Sequence, residues 1–278
     1  MTTHVPYAPK TLTDTLHRHF VSLMCYDHGE EALKQNGGLP AVYNFSGFVV
    51  ELGSDWLVIT AGHIFDGLKQ AVKGGAKLTN WSVDDSAVST APQPPIPIPL
   101  DIDADVFFLH DEVPGMDYAA LVLPKLACRA LVEQGIVPVR QPEWSTEGLE
   151  GFNTWLLVGV PFQTTKMAFG APQIEKYIAT IKVDRLTERP EGFLDTEFSR
   201  LYAKIDFSSI GDNGPTITDI EGMSGGPIFG LRGTPDNFEY RLIGVQSSWN
   251  GKGSRDTIAM CAAQPFIDAL RRCSPACD

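Results

Sequence analysis

The sequence predicts an all-β protein with little helix. Many short apolar or alternating segments recur along the chain with turn signals between them, which is typical of β-barrel proteins. A hydrophobic fraction of 43% and a charged fraction of 20% are typical of a globular chain that packs a core. The length of 278 residues allows one large β domain or two small ones.

The N-terminal half begins with a short polar helix over residues 10–19, for which Thr11 or Thr13 provides the N-cap. A loop rich in glycine and charge is expected over 27–40. The small polar residues 53–55 join two of the strands into a hairpin. Alternating or continuous apolar patterning predicts strands at 19–26, 45–52, 56–60, 106–109 and 117–123.

The stretch between the hairpin and the fourth of these strands has the weakest patterning. A short helical turn is expected over 64–68. Prolines crowd the segment 91–99, and because proline cannot donate a hydrogen bond to a sheet, this segment should be extended and at the surface. A rigid loop is a commoner role for such a composition than a ligand for an SH3-type domain.

The C-terminal half contains a second series of strands and ends in a helix. Residues 127–135 are expected to form a short helix or turn, and 137–144 a connector. The final helix, 265–272, has a proline at its start and two arginines at its end, which suits the helix dipole. The strands are predicted at 154–160, 177–183, 201–207, 227–231, 241–248 and 257–262.

One serine, Ser224, lies in a run of small residues within the segment 221–229, E-G-M-S-G-G-P-I-F. A serine hydroxyl attacks a carbonyl only when a base takes its proton, and the oxyanion that forms needs N–H donors. The flanking glycines let the chain turn tightly, so the backbone N–H groups of Gly222 and Ser224 are the natural donors. Alone, the segment is also compatible with a Gly-rich hairpin that carries an incidental serine.

Two further segments place a histidine and an aspartate before this serine. The apolar strand 56–60 leads through Ala-Gly into His63, and Asp117 directly precedes the apolar run 118–123. Four other aspartates lie close to Asp117 in sequence, but only Asp117 is placed where burial forces a carboxylate to find a partner. The order His, Asp, Ser along the chain is that of chymotrypsin-type enzymes, not of subtilisins or α/β-hydrolases.

Through the segments T-A-G-H, D-Y-A-A-L and G-M-S-G-G-P, the chain resembles the trypsin-like (chymotrypsin-fold) serine proteases, in an intracellular bacterial form. The resemblance implies two six-stranded antiparallel β-barrels with the active site between them, and a C-terminal helix. The first barrel would carry His63 and Asp117, and the second Ser224. The expected division into an N-terminal extension, two barrels and a helical tail is 1–18, 19–135, 136–264 and 265–278.

The resemblance implies a serine endopeptidase that acts on a protein or peptide substrate. His63 would be the general base, Asp117 would hold its ring in the required tautomer, and Ser224 would be the nucleophile. Gly222 and Ser224 would supply the oxyanion hole. Two alternatives remain open: a catalytically silent domain that binds peptides in the same cleft, and an esterase that uses the same machinery.

The resemblance also indicates where substrate side chains would bind. Thr218, six residues before the nucleophile, would lie at the base of the primary pocket, which favours small or uncharged side chains over Lys and Arg. Asp219 or Glu221 at the pocket wall could still favour a basic one. The strand that lines the pocket and pairs with the substrate backbone would include Ser247, Ser248 and Trp249. Either serine could face Asp117.

Met223 is a departure from the family pattern. Many secreted relatives have an aspartate there, which pairs with a new N-terminal amine after cleavage of a propeptide. A methionine cannot bind an ammonium group, so activation by that ion pair is not expected. Control by a regulatory protein partner or by ordering of a loop is expected instead.

Charge and cysteine usage limit the partners and the compartment. A net charge of −12 and a pI of about 4.9 disfavour nucleic acid as a partner. The start of the sequence lacks the features of a signal peptide, and no apolar run approaches the ~20 residues of a membrane helix, so a cytoplasmic protein away from membranes is expected.

The cysteines are odd in number and scattered, which favours reduced thiols: Cys25, Cys128, Cys261, Cys273 and Cys277. The last two could pair, but no second Cys/His pair at zinc spacing accompanies them, so neither a metal site nor a cofactor is expected.

Overall fold

The computed structural model describes residues 11–84, 97–102, 106–111, 115–144, 151–167, 174–210, 215–234, 237–250 and 256–273. Over these residues the chain is mostly β-structure, with one closed barrel, one open sheet and a C-terminal helix. The all-β fold class is confirmed in this form. Most of the proline-rich segment 91–99, and Cys277, lie outside the described residues, so the predictions for them stay predictions.

The N-terminal half is an antiparallel sheet of seven strands in the order β5-β4-β1-β2-β3-β7-β6. The strands are β1 (Phe20–Asp27), β2 (Ala41–Leu52), β3 (Asp55–Thr60), β4 (Leu78–Asp84), β5 (Ile98–Pro99), β6 (Val106–Asp111) and β7 (Met116–Val122). This differs from the closed six-stranded barrel expected for this half, because the edge strands β5 and β6 do not pair with each other in the described part of the chain. With only two residues, one of them Pro99, β5 offers few donors for further pairing.

The predicted hairpin is confirmed in the centre of this sheet. Leu52 of β2 pairs with Asp55 of β3, so the connection is the two-residue turn Gly53-Ser54. Gly53 has a φ of 63°, a left-handed conformation that glycine adopts without a steric cost. The turn sets the register in which Phe48 lies opposite Ile59, and both side chains face the core.

The C-terminal half contains a closed six-stranded barrel, as predicted, in the order β11-β12-β15-β14-β13-β8. A two-stranded pair, β9 with β10, lies outside it. The strands are β8 (Thr154–Gly159), β9 (Lys166–Met167), β10 (Ile174–Glu175), β11 (Ala179–Leu186), β12 (Leu201–Asp206), β13 (Pro227–Thr234), β14 (Asn237–Asn250) and β15 (Thr257–Ala262). The long strand β14 pairs with both β13 and β15, and its register with β15 shifts between Gln246 and Ser248.

Helices fill the connections and close the chain. They are α1 (Leu12–His17), α2 (Glu30–Gln35), α3 (Gly62–Lys73), α4 (Lys125–Glu133), α5 (Gln141–Trp144) and α6 (Ala263–Cys273), with 3-10 turns at Phe162–Thr164 and Phe207–Ser209. Thr11 caps α1 through its side chain, as one of the two predicted alternatives. Within the described ranges, no helix has both the length and the apolar character needed to cross a membrane.

Two helices depart from the sequence prediction. The expected turn at 64–68 is the beginning of the 12-residue helix α3, which buries Ile64 and Phe65 against the sheet. The expected loop at 27–40 contains α2, which has no buried residue. Glu30 and Glu31 lie in the first turn of α2 and a lysine in its last, so the helix dipole rather than packing favours it.

Three apolar clusters form the core. One fills the barrel, and another lies between the N-terminal sheet and helices α3 and α4. The third joins the halves, because Phe20 and Phe48 of the sheet belong to the same cluster as Val158, Phe229 and Val245 of the barrel. Apolar packing across this junction fixes the position of one half relative to the other.

Polar contacts around α1 also join the halves. The ring of His19 is fully buried, and its Nδ1–H donates to Val137 O at 2.6 Å while Nε2 lies 2.9 Å from the hydroxyl oxygen of Tyr240. Arg18 Nη2 donates to the same hydroxyl oxygen at 2.9 Å. Burial lowers the pKa of His19 to about 3, and the nearby charge of Arg18 acts in the same direction. His19 is therefore a neutral part of the junction.

Candidate active site

His63 follows β3 and lies in the first turn of α3, close to the start of β7. Strands β3 and β7 pair antiparallel, with Thr60 opposite Ala119, so the segment that follows β3 lies beside the start of β7. The backbone N–H of His63 donates to Asp117 Oδ1 at 2.7 Å, and ring Nδ1 lies 2.8 Å from Asp117 Oδ2. With its proton on Nδ1, the neutral ring carries its lone pair on Nε2.

Asp117 is the buried member of this pair, with 3% of its side chain exposed against 36% for His63. Ser247 Oγ donates to Asp117 Oδ2 at 2.5 Å. Burial acts to raise the pKa of Asp117, but hydrogen bonds from His63 and Ser247 and the charge of His63 outweigh it, so the pKa lies below its usual value. The carboxylate therefore stays ionised and orients the ring. Of the two serines in β14 that the sequence left open, Ser247 contacts Asp117.

Ser224 lies in a tight turn that leads into β13. Gly222 and Gly225 have φ values of 90° and 86°, in the left-handed region. Gly225 N–H donates to Gln246 O, and Gln246 N–H donates to Gly226 O, both at 2.9 Å, so the turn is paired with β14. The side chain of Met223 is fully buried among the apolar residues of the barrel. The turn thus holds Ser224, which is partly exposed, at the barrel surface.

Ser46, a residue of β2, connects this turn to the N-terminal sheet. Its hydroxyl donates to Gly222 O and accepts from Val160 N–H, both at 3.0 Å. Thr60 Oγ1 in turn donates to Ser46 O at 2.7 Å. Sequence analysis missed this residue, because a serine in an alternating strand carries no sign that its hydroxyl bonds a turn 176 residues away.

The backbone donors at the turn are available to a ligand. Phe162 N–H donates to Glu221 O at 2.6 Å, so the trans peptide that joins Glu221 to Gly222 points its N–H the opposite way. Neither Gly222 N–H nor Ser224 N–H has an acceptor among the described residues. Unpaired donors at a surface concavity are what an oxyanion hole requires.

A cavity of about 570 Å³ brings these groups together. Seven of its lining residues are sites predicted from the sequence: His63, Asp117, Gly222, Ser224, Ser247, Ser248 and Trp249. Ser224 Oγ has no hydrogen-bond partner within the described part of the chain, so the three side chains meet at one cavity with the serine–histidine bond unmade. That bond is often long when no substrate is present. No set of three or more metal-ligating side chains converges within the described ranges.

Thr218 is the predicted site residue that does not line the cavity. It is exposed, and its hydroxyl donates to Gln163 Oε1 at 3.1 Å. Its neighbours Ile217 and Ile220 are buried in the barrel core, which turns Thr218 outward. The residue was placed by counting back from the nucleophile, and the local chain path does not follow that count. Ile220 and Glu221 line the cavity, and Glu221 is one of the two acidic residues that the sequence placed at the pocket wall.

A further part of the wall had no signal in the sequence. Gly192, Phe193, Leu194 and Arg200 line the cavity from the irregular segment that joins β11 to β12. No periodicity or motif marks this segment, so only the fold shows that it reaches the site.

No protein-family model and no curated protein sequence matches the chain. Several solved protein structures do resemble the structure of this chain. The scabies mite inactivated protease paralogue S-I1 has 14% sequence identity and a TM-score of 0.51, over 93% of this chain and 97% of that one. The scabies mite paralogue S-D1 has 11% identity and a TM-score of 0.51, over 94% and 93%. The protease Anisep from Arthrobacter nicotinovorans has 14% identity and a TM-score of 0.48, over 92% and 96%. At such identities the likeness shows the fold alone, which is that of the trypsin-like serine proteases.

Proposed function

We propose that this chain, folded as a trypsin-like serine protease, is a serine endopeptidase that hydrolyses peptide bonds of a protein substrate. The observation that carries the proposal is the 2.8 Å contact between His63 Nδ1 and the buried carboxylate of Asp117, in the cavity that Ser224 also lines. Catalytic groups are recognised by such geometry and roles.

The proposed reaction follows from these positions. His63 Nε2 takes the hydroxyl proton as Ser224 Oγ attacks the peptide carbonyl carbon, and the N–H groups of Gly222 and Ser224 bind the oxyanion. The tetrahedral adduct expels the amine, which receives the proton from His63, and leaves an acyl ester on Ser224. A water then gives a proton to His63 as its oxygen attacks the ester carbon, and His63 returns that proton to Ser224 Oγ as the ester bond breaks and the acid leaves. Asp117 stays ionised throughout and stabilises the imidazolium.

Labelling by a fluorophosphonate probe tests the proposal directly. We expect the probe to modify the wild-type protein at Ser224, and Ser224→Ala to abolish the labelling and to lower kcat on a cleaved peptide by on the order of 10⁶. His63→Ala should also prevent labelling, because the hydroxyl loses its base. Thermal unfolding of each variant shows that it is folded. Folded wild-type protein that the probe does not modify would contradict the proposal.

The second candidate is a catalytically silent domain that binds peptides in the same cavity. The unmade bond of Ser224 Oγ favours it, since a serine without its base is not activated. Peptides that bind both the wild type and Ser224→Ala with equal affinity, while neither protein is labelled or cleaves them, would favour this candidate.

Control of the proposed activity is expected to come from a partner protein. Met223 is fully buried, so apolar packing rather than an ion pair with a new N-terminus supports the turn of Ser224. A partner that closes the gap between Ser224 and His63 would raise the rate of probe labelling without cleavage of the chain.

A further inference from the structure

One wall of the cavity is the segment 187–200, and it is fixed to both halves of the molecule. Asn250 Nδ2, at the end of β14, donates to Glu191 O at 3.0 Å. Thr196 packs so closely on Gly115 that a Cβ at that glycine would lie 2.5 Å from Thr196 Cβ. Side chains on this segment therefore have defined positions in the cavity.

Arg200, the last residue of the segment, lines the cavity with its side chain half-buried. Its Nε–H donates to Gly115 O at 3.2 Å, and Nη1 reaches Ser248 Oγ at the long distance of 3.5 Å. These contacts use two of the five N–H donors of a guanidinium. No carboxylate among the described residues pairs with Arg200. Its charge is thus held in the cavity by neutral acceptors alone.

The other ionisable groups of the cavity do not balance this charge. Asp117 is buried and already bonded to His63 and Ser247. Glu221 is exposed to solvent. In a chain of net charge −12, a half-buried arginine without a carboxylate partner is unexpected, because its partial desolvation is not offset within the protein. An anion on the ligand would offset it.

We propose that Arg200 is a specificity-determining residue that recognises the carboxylate of an Asp or Glu side chain in a bound peptide. The planar guanidinium suits a carboxylate, and its free donors can hold both oxygens. Phe193, Leu194 and Trp249 line the same cavity and would contact the apolar part of such a side chain. This preference for acidic peptides replaces the small or uncharged side chains expected from Thr218, which lies outside the cavity. That the recognised peptide is also cleaved rests on the proposed function.

The experiment measures peptide binding to Ser224→Ala protein, so that no cleavage is needed. The probes are fluorescent hexapeptide mixtures in which one position at a time is Glu, Asp, Gln or Lys. We expect Glu or Asp to bind about tenfold or more tighter than Gln and Lys at one position. Adding Arg200→Gln should remove this preference. Arg200→Lys keeps the positive charge but loses the planar guanidinium that binds both carboxylate oxygens, so it should retain part of the preference.

Arg189→Gln is the matched control. Arg189 is on the same segment and pairs with Asp195, but its side chain is 41% exposed and it does not line the cavity. The acidic preference should survive this change. Thermal unfolding of each variant separates a specific effect from loss of structure. Ser224→Ala protein that binds Glu and Gln peptides equally would overturn the proposal, as would an acidic preference that persists in folded Arg200→Gln.

The outcomes for the enzyme and for the arginine are separate. Acid-selective binding without fluorophosphonate labelling of the wild type would leave Arg200 as a carboxylate site in a non-catalytic domain. Labelling without acid-selective binding would leave the hydrolase and remove this role of Arg200.

Discussion

At Gly225 the backbone conformation and the packing both require the absence of a side chain. Its φ is 86°, and a Cβ there would lie 2.0 Å from Thr60 Oγ1 and 2.5 Å from Ser46 O. The residue after the candidate nucleophile therefore lies against strands β2 and β3 of the N-terminal sheet, with no room for a methyl group.

Gly225→Ala should destabilise the protein by about 3 kcal/mol or more, from backbone strain and overlap together. Gly67→Ala is the control, since Gly67 lies exposed in α3 with nothing within 4 Å of a Cβ. Replacing a helical glycine in this way should stabilise by about 0.5–1 kcal/mol. Urea unfolding measures both. Equal midpoints for the two variants would mean that the turn relaxes without cost.

At the scale of elements, one buried ion pair connects the loop before β11 to the N-terminal sheet. Lys176 Nζ lies 3.1 Å from Asp84 Oδ2, with 2% and 5% of the side chains exposed. The same ammonium donates to Ser22 Oγ at 2.5 Å. A charge this deeply buried depends on the opposite charge beside it, so removing one member of the pair should be costly.

Lys176→Met should therefore lower the free energy of unfolding by about 3–5 kcal/mol. The double change Lys176→Met with Asp84→Leu should recover part of that loss, because both charges of the pair are removed together. Lys182→Met, which breaks the exposed pair with Asp184, should leave the stability nearly unchanged. If Lys176→Met behaved like Lys182→Met in urea unfolding, the pair would be a surface contact in solution.

The sequence predicted elements well where the periodicity was strong and poorly where length or position depended on tertiary contacts. The hairpin 45–60 and the six barrel strands have clear patterns and were found. Strand β4 was missed because its residues alternate weakly, and only pairing with β1 makes it a strand. A sheet closes into a barrel only if its two edge strands pair with each other, and no local sequence pattern determines this.

The candidate site shows the same division. Asp117 could be chosen among five aspartates because a carboxylate before an apolar strand must be buried. Thr218 and Arg200 could not be placed, since their roles depend on how irregular segments run across the barrel. Motifs predicted the candidate His, Asp and Ser, and the fold was needed to find the other residues that line the same cavity.

At the scale of the whole molecule, neutral histidines at the junction predict the response to acid. Burial lowers the pKa of His17 from 6.5 to about 4 and that of His19 to about 3, so folded protein resists protonation that the unfolded chain accepts. Their contribution to stability is complete above pH 6.5 and is lost as the pH falls toward the folded pKa values.

We expect the free energy of unfolding to fall by about 1.4 kcal/mol per pH unit for each of the two histidines below pH 6.5. His19→Gln should reduce the slope of the free energy of unfolding between pH 6.5 and about pH 5 by about 1.4 kcal/mol per pH unit. Replacement of the exposed His28 should not change the slope. Urea unfolding across this range provides the measurement. An unchanged slope in His19→Gln would contradict the burial of a neutral ring.

The order of strands in the barrel also has a consequence for synthesis. β15 lies between β12 and β14, so the barrel cannot close until residues 257–262 are present. A nascent chain on the ribosome lacks them until all the other barrel strands have been made, although His63 and Asp117 are made long before. The turn that holds Ser224 would thus gain the support of a closed barrel only after residue 262 has been made, so the candidate site cannot be complete in a shorter nascent chain.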